Sequence, residues 1–295
     1  MTTKKQHFVP RFYLRHFTNA EGKLQVYRRS ADTYFLTTPE SVCAENYLYE
    51  VRHLGFNKQN GNPEFLHNYI EKKLAKAESC LAPLFEQLID CCVKCDFETD
   101  KYHEGKLAVC NLAASLIVRH PQLLEEDRAG ASELTRTFLT TNKLTENERW
   151  MLKQIDIEND LDMVSETAIM QTLLLSEHPE SPRNRIYKAF ADKSMTIIRA
   201  PAGMNFITTS MPLDLNGIDE EAYDFQIAYM PLTNKFAALF SKDEHLVDFG
   251  MASLKETVQF NAALLANSFW DTAISQARGP LEIAVSRWKE LVEAQ

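Results

Sequence analysis

The chain lacks the loops that mark the large nucleotide-dependent enzyme classes. It contains no Walker A loop, no GxGxxG turn, no GxSxG elbow and no kinase signature. P-loop NTPases, Rossmann enzymes and α/β-hydrolases are thereby set aside. No HExxH pair occurs among its eight histidines. No apolar stretch reaches the ~18 uninterrupted residues of a membrane span, so no transmembrane helix and no membrane partner is expected. The opening residues are basic but carry no continuous apolar segment, so no export signal is expected either. The six cysteines, Cys43, Cys80, Cys91, Cys92, Cys95 and Cys110, are then expected to be reduced thiols in a cytoplasm. Only one CxxC is present, Cys92 to Cys95, where a structural zinc site needs four ligands. Buried thiols at the end of a helix are the expectation, and no metal site is assigned. Internal repeats and low-complexity segments are absent too.

What is present is an ordinary globular composition. The 295 residues are 45% hydrophobic and 25% charged, enough to bury a core without disulfide staples. Lys and Arg number 32 against 41 Asp and Glu, for a net charge of −9. That balance excludes a general nucleic-acid coat protein or a polybasic membrane binder. The charge is unevenly spread, because the first 30 residues hold seven Lys and Arg against the single acid Glu21. This basic, aromatic-rich opening is a local attractor for anions.

Periodicity divides the chain into strands, helices, strands and helices. A short helix is expected over residues 10–18, with Pro10 at its start. Strand-like runs follow at 23–27, 34–37 and 46–51, then a loop over 52–63. Asn62 and Pro63 predict a helix start, and Leu66, Ile70 and Leu74 recur at helical spacing. Pro83 is expected to kink or split this region, with a second helix running to about Cys91. The most apolar helix is expected over 103–119, with Leu107, Ala108, Leu112, Ala113, Leu116 and Ile117 in the core. It should end near Arg119-His120-Pro121, because a residue before proline avoids the helical region. Thr145 to Glu148 read as a capping box, and further helices are expected at 161–175 and 182–192. Strands are expected at 195–198, 206–209, 225–230 and 236–241, then helices at 252–268 and 281–293. The order is not an alternating βαβ pattern. A single α+β domain is expected, mostly helical, with a small, largely antiparallel sheet formed by N-terminal and late strands. The helical middle, about 62–192, is inserted between them.

The densest chemical signal is the run Gln6 to Phe17. Arg11 and Arg15 are four apart and share a helix face. His7 stands just before the helix, near its positive end, where phosphate or carboxylate would be a natural guest. Alternatively the aromatics dock the N-terminus on the core and the basic residues stand in solvent. The acidic run at Asp156, Glu158, Asp160 and Asp162 lacks the glycine of an EF-hand loop and is expected to be a solvated turn. The last helix is amphipathic, through Leu281, Ile283, Val285, Trp288, Leu291 and Val292. Core packing is its expected role, with a homo-oligomer interface as the alternative.

The segment QHFVPRFYLRHF resembles the opening of domain-of-unknown-function family 4238, whose members begin with a QHYVPxxYLxxF-type motif. The likeness continues in order along the chain. The family's Arg-x-Pro matches Arg119-His120-Pro121, its "ITSDNP" run matches Ile207 to Pro212, and its "PLSP"-type strand matches Met230 to Thr233. A helical Asn near its end matches Asn261. One departure is that Ser210-Met211 replaces the family's Asp-Asn. If that Asp were a metal ligand or general base, this chain has lost it, since Ser binds a divalent ion only weakly; otherwise the Asp is a turn-former. The resemblance implies a bacterial protein found near mobile and defence genes, with no established activity.

The matched polar groups point to one expectation. Gln6, His7, Ser210 and Asn261 are candidate catalytic or orienting residues, with His7 as acid/base or ligand. Arg11, Arg15 and Arg119 are candidate anion-binding residues. The expected activity is that of a phage-defence nuclease or nucleotide-processing enzyme acting on a phosphate-bearing ligand or nucleic acid. The alternatives are a non-catalytic sensor of a nucleotide or phage component, or a structural module with a defence-system partner protein. A buried hydrogen-bond network built from the same residues is equally compatible with the sequence. No cofactor is identified.

Overall fold

In the computed structural model, residues 5–49, 68–127, 130, 145–146, 173–219, 224–243, 248–267 and 269–293 are described. The loop at 52–63, the start at Asn62-Pro63, the acidic run 156–162 and most of the expected helix 161–175 lie outside these residues. So do Asn147 and Glu148 of the capping box.

The expected order of element types holds, and the fold is α+β. The chain opens with β1 (Lys5–His7), α1 (Arg11–Leu14) and a 3-10 turn (Arg15–Phe17). Next come β2 (Leu24–Arg28), β3 (Thr33–Thr37) and β4 (Ala44–Asn46). The helical middle contains α2 (Tyr69–Lys94), α3 (Asp100–Val118), the short α4 (Pro121–Asp127) and α5 (Pro182–Ala191). Late strands follow: β5 (Ser194–Arg199), β6 (Thr208–Thr209), β7 (Asp214–Asn216), β8 (Ile227–Pro231), β9 (Phe236–Ser241) and β10 (Phe249–Met251). The chain closes with α6 (Leu254–Ala266), β11 (Thr272–Ser275) and α7 (Arg278–Glu293).

The strands build three sheets among the described residues. N-terminal and late strands do combine, in the antiparallel order β3-β2-β11-β6. The other late strands form a second sheet, β10-β5-β9-β8-β7, in which only β10–β5 is parallel. β1 pairs with β4, His7 opposite Ala44. That pairing brings the opening motif beside the end of the N-terminal strand region.

Pro83 does not split this region into two helices, as the sequence allowed. α2 runs unbroken through it to Lys94. Pro83 lies on the exposed face, where the carbonyl left without a partner one turn earlier can bond water, while Leu74, Phe85 and Leu88 pack inward. α3 packs on α2 at Gly105, where a Cβ would stand 2.6 Å from the Leu88 Cβ. Most of the apolar residues expected on α3 are buried, but Leu107 faces solvent. No single described helix is long and apolar enough to cross a membrane. α3 stops at Val118, and α4 leaves it at a 60° bend. That bend falls at Arg119-His120-Pro121, as the proline rule requires. At the C-terminus, Leu281, Val285 and Trp288 are buried, whereas Ile283, Leu291 and Val292 are exposed.

Candidate functional site

The opening motif is held from both ends. Gln6 is fully buried; its side-chain oxygen accepts from the Tyr49 backbone N–H at 2.6 Å. Tyr13 is buried in the core and its hydroxyl joins two distant strands. It meets the Thr208 hydroxyl at 2.8 Å and donates to the Pro231 carbonyl at 2.7 Å. Asn261, on α6, accepts from the Ile207 N–H at 3.0 Å and donates to the Asn205 carbonyl at 3.0 Å. Its amide is therefore committed to fixing the strand approach at 205–207.

Arg119 is 2% exposed. Each of its guanidinium nitrogens donates to a protein acceptor: the Glu78 carboxylate at 2.7 Å, the Tyr49 hydroxyl at 3.1 Å, and the His7 backbone carbonyl. Arg11 and Arg15 are exposed instead, and Arg15 stands 3.9 Å from Glu40. Arg119 is thus a buried junction, while Arg11 and Arg15 form a solvated face. His7 is half-buried; burial and the nearby Arg11 charge lower its pKa. Its carbonyl, rather than its ring, engages Arg119.

Ser210 resolves the departure from the Asp-bearing motif. Its hydroxyl oxygen accepts from the backbone N–H groups of Asp271 at 3.0 Å and Thr272 at 3.3 Å. A carboxylate at this position could accept the same pair, and the bonds tie Ser210 to the start of β11, some sixty residues away, rather than forming a local turn.

Ser210 also lines a cavity of about 770 Å³ with Phe8, His120, Trp270 and Thr272. Around its mouth stand the exposed Arg28, Glu45, Glu125 and Asp271. His120 lies between Phe8 and Phe269, edge to face with each. It is 6% exposed, and its Nδ1 has no hydrogen-bond partner. Burial lowers its pKa to about 4, against a weaker upward pull from a backbone hydrogen bond at Phe269. The ring is therefore neutral at pH 7 and offers a lone pair.

The chain belongs to the DUF4238 family. The family model, "Protein of unknown function (DUF4238)", matches residues 5–278. No curated protein and no solved structure matches the chain. The DUF4238 motif positions fall into two groups in this structure. Gln6, Tyr13, Arg119 and Asn261 form buried ties between distant segments. Phe8, Ser210 and His120, the unspecified middle residue of the Arg-x-Pro run, line the cavity of about 770 Å³. His120 was not singled out in the sequence as a site residue, although it is the middle residue of the matched Arg-x-Pro. Cys91 and Cys92 are buried at the end of α2, and burial pushes the Cys92 thiol up to about 12. Among the described residues, no group of three or more His, Cys, Asp or Glu is arranged to hold a metal.

Proposed function

We propose that this DUF4238 protein is a non-catalytic sensor that binds a nucleoside-type ligand, free or as a mononucleotide, in the His120 cavity. The observation that carries the reading is the convergence of three motif segments, through Phe8, His120 and Ser210, on one cavity of about 770 Å³. That volume lies within the roughly 300–1,000 Å³ range of small-molecule sites. Phe269, half-buried, supplies an apolar face for a ring, backed by the buried Phe8 and Trp270. Carboxylates at the mouth suit sugar hydroxyls, and Arg28 suits one phosphate.

Two features favour binding over cleavage. The mouth carries three carboxylates against one arginine, which opposes a long polyanion. A histidine with its pKa near 4 is a good acceptor but a weak general base, since base catalysis is best served by a pKa near the working pH. A cytoplasmic location and a role in phage defence belong to this reading as its setting.

The test is a melting panel of nucleosides, mononucleotides and oligonucleotides on wild type and His120→Phe. A nucleoside should stabilise the wild type by about 2.7 kcal/mol at a hundred times its Kd, and the variant should lose the effect. Turnover of a nucleotide or oligonucleotide, abolished by His7→Ala, would replace the sensor with the enzyme. No response to any nucleoside or mononucleotide would remove the reading.

A further inference from the structure

Arg119 and His120 are neighbours in the chain but border different cavities. Arg119 lines a smaller one of about 220 Å³, together with Lys73, Glu78, Ser115, Glu177 and Arg183. Arg183 comes from α5, an element far from Arg119 in sequence. It sits in the first turn of that helix, where the helix dipole opposes a cation, and no acidic residue accompanies it there. Its hydrogen-bond acceptor is the Asn111 amide oxygen, a neutral group. The charge of Arg119 and burial together lower the Arg183 pKa, burial contributing more. Two guanidinium groups therefore face one small cavity, one of them bonded to a carboxylate and the other only to an amide. Among the described residues Arg183 has no carboxylate partner, so an anion entering the cavity would be its first counter-charge.

We propose that this cavity is a binding site for a small tetrahedral oxyanion, inorganic phosphate or the phosphate of a small monoester, gripped by the Arg183 guanidinium. The volume is below that of sites for whole metabolites, which start near roughly 300 Å³. A phosphate group with some water fills it better than a nucleotide would. Arg183 supplies a planar fork suited to two oxygens, and the Ser115 hydroxyl lines the same wall. The site is separate from the nucleoside reading: its probe carries no base, and the nucleosides that test the other cavity carry no phosphate.

The experiment titrates the full chain with inorganic phosphate, with glycerol phosphate, and with chloride at matched ionic strength, following melting and phosphorus NMR line width. Wild type and Arg11→Gln should show the same saturable stabilisation and line broadening, absent with chloride. Arg183→Gln should weaken phosphate binding by roughly tenfold or more, yet melt no lower than wild type without phosphate, because a like-charge contact is relieved. Arg183→Lys, which keeps the charge, should also bind more weakly because the fork is lost. Tighter binding of glycerol phosphate would identify a monoester as the ligand, and tighter binding of phosphate the free ion. Phosphate that acts no differently from chloride overturns the proposal. So does a saturable response that both Arg183 variants retain in full.

Discussion

At the scale of single residues, chemical type was legible and assignment was not. Arg119 and Arg11 are both arginines beside a helix end, and both were expected to meet one anion. The structure buries the first among Glu78, Tyr49 and the His7 carbonyl, and leaves the second in solvent. His120 differs from the other histidines only in where the bend after α3 places it. Its low pKa gives a specific pH dependence. The folded ring resists protonation down to about pH 4, whereas the unfolded ring takes a proton near its ordinary value of 6.5. Stability is thus unaffected above that value and falls as the pH drops from 6.5 toward 4. The slope is about 1.4 kcal/mol per pH unit, or roughly 2 kcal/mol by pH 5. Urea unfolding of wild type and His120→Asn at pH 7 and pH 5 measures this. The other histidines are common to both proteins and cancel, so the wild type should lose about that much more. Equal losses would mean that His120 is not held neutral by burial.

At the scale of elements, long periodic or strongly apolar runs could be read and short pairings could not. Residues 236–241 form β9 over the expected span, and α5 differs from its expected span by a single residue. β11 was missed because Thr272 to Ser275 hold little apolar bulk; β2 on one side and β6 on the other make it a strand. Pro83 was over-weighted because its local cost is fixed, while the surrounding packing that outweighs it is not local. Gly105 shows the reverse case. Nothing around it in the chain marks it as essential, yet α2 approaches there too closely for any side chain. Gly105→Ala improves helix propensity but overlaps Leu88, so the sign depends on packing. A net loss of roughly 1–3 kcal/mol is expected, as for other overpacked cores. Thermal unfolding settles it, and an unchanged or raised Tm would show that the helices can part at little cost.

At the scale of the whole molecule, the fold is closed by polar ties between segments far apart in the chain. Tyr13 is the clearest, since it holds the opening motif to Thr208 and Pro231. Tyr13→Phe keeps the ring and strands both partners. It should cost roughly 1–3 kcal/mol and raise hydrogen exchange in α1 and β8 together. Faster exchange in only one of them would mean that the hydroxyl is not the tie. The sequence by itself determined the α+β class, the order of element types and the family, because hydrophobic period and motif order are local properties of the chain. Tertiary structure alone decided that Arg119 is a buried junction, that Ser210 takes up two backbone N–H groups, and that His120 and Arg183 border cavities. Burial and partner choice depend on which distant segments meet, and the residues that meet carry no mark of it in their own neighbourhoods.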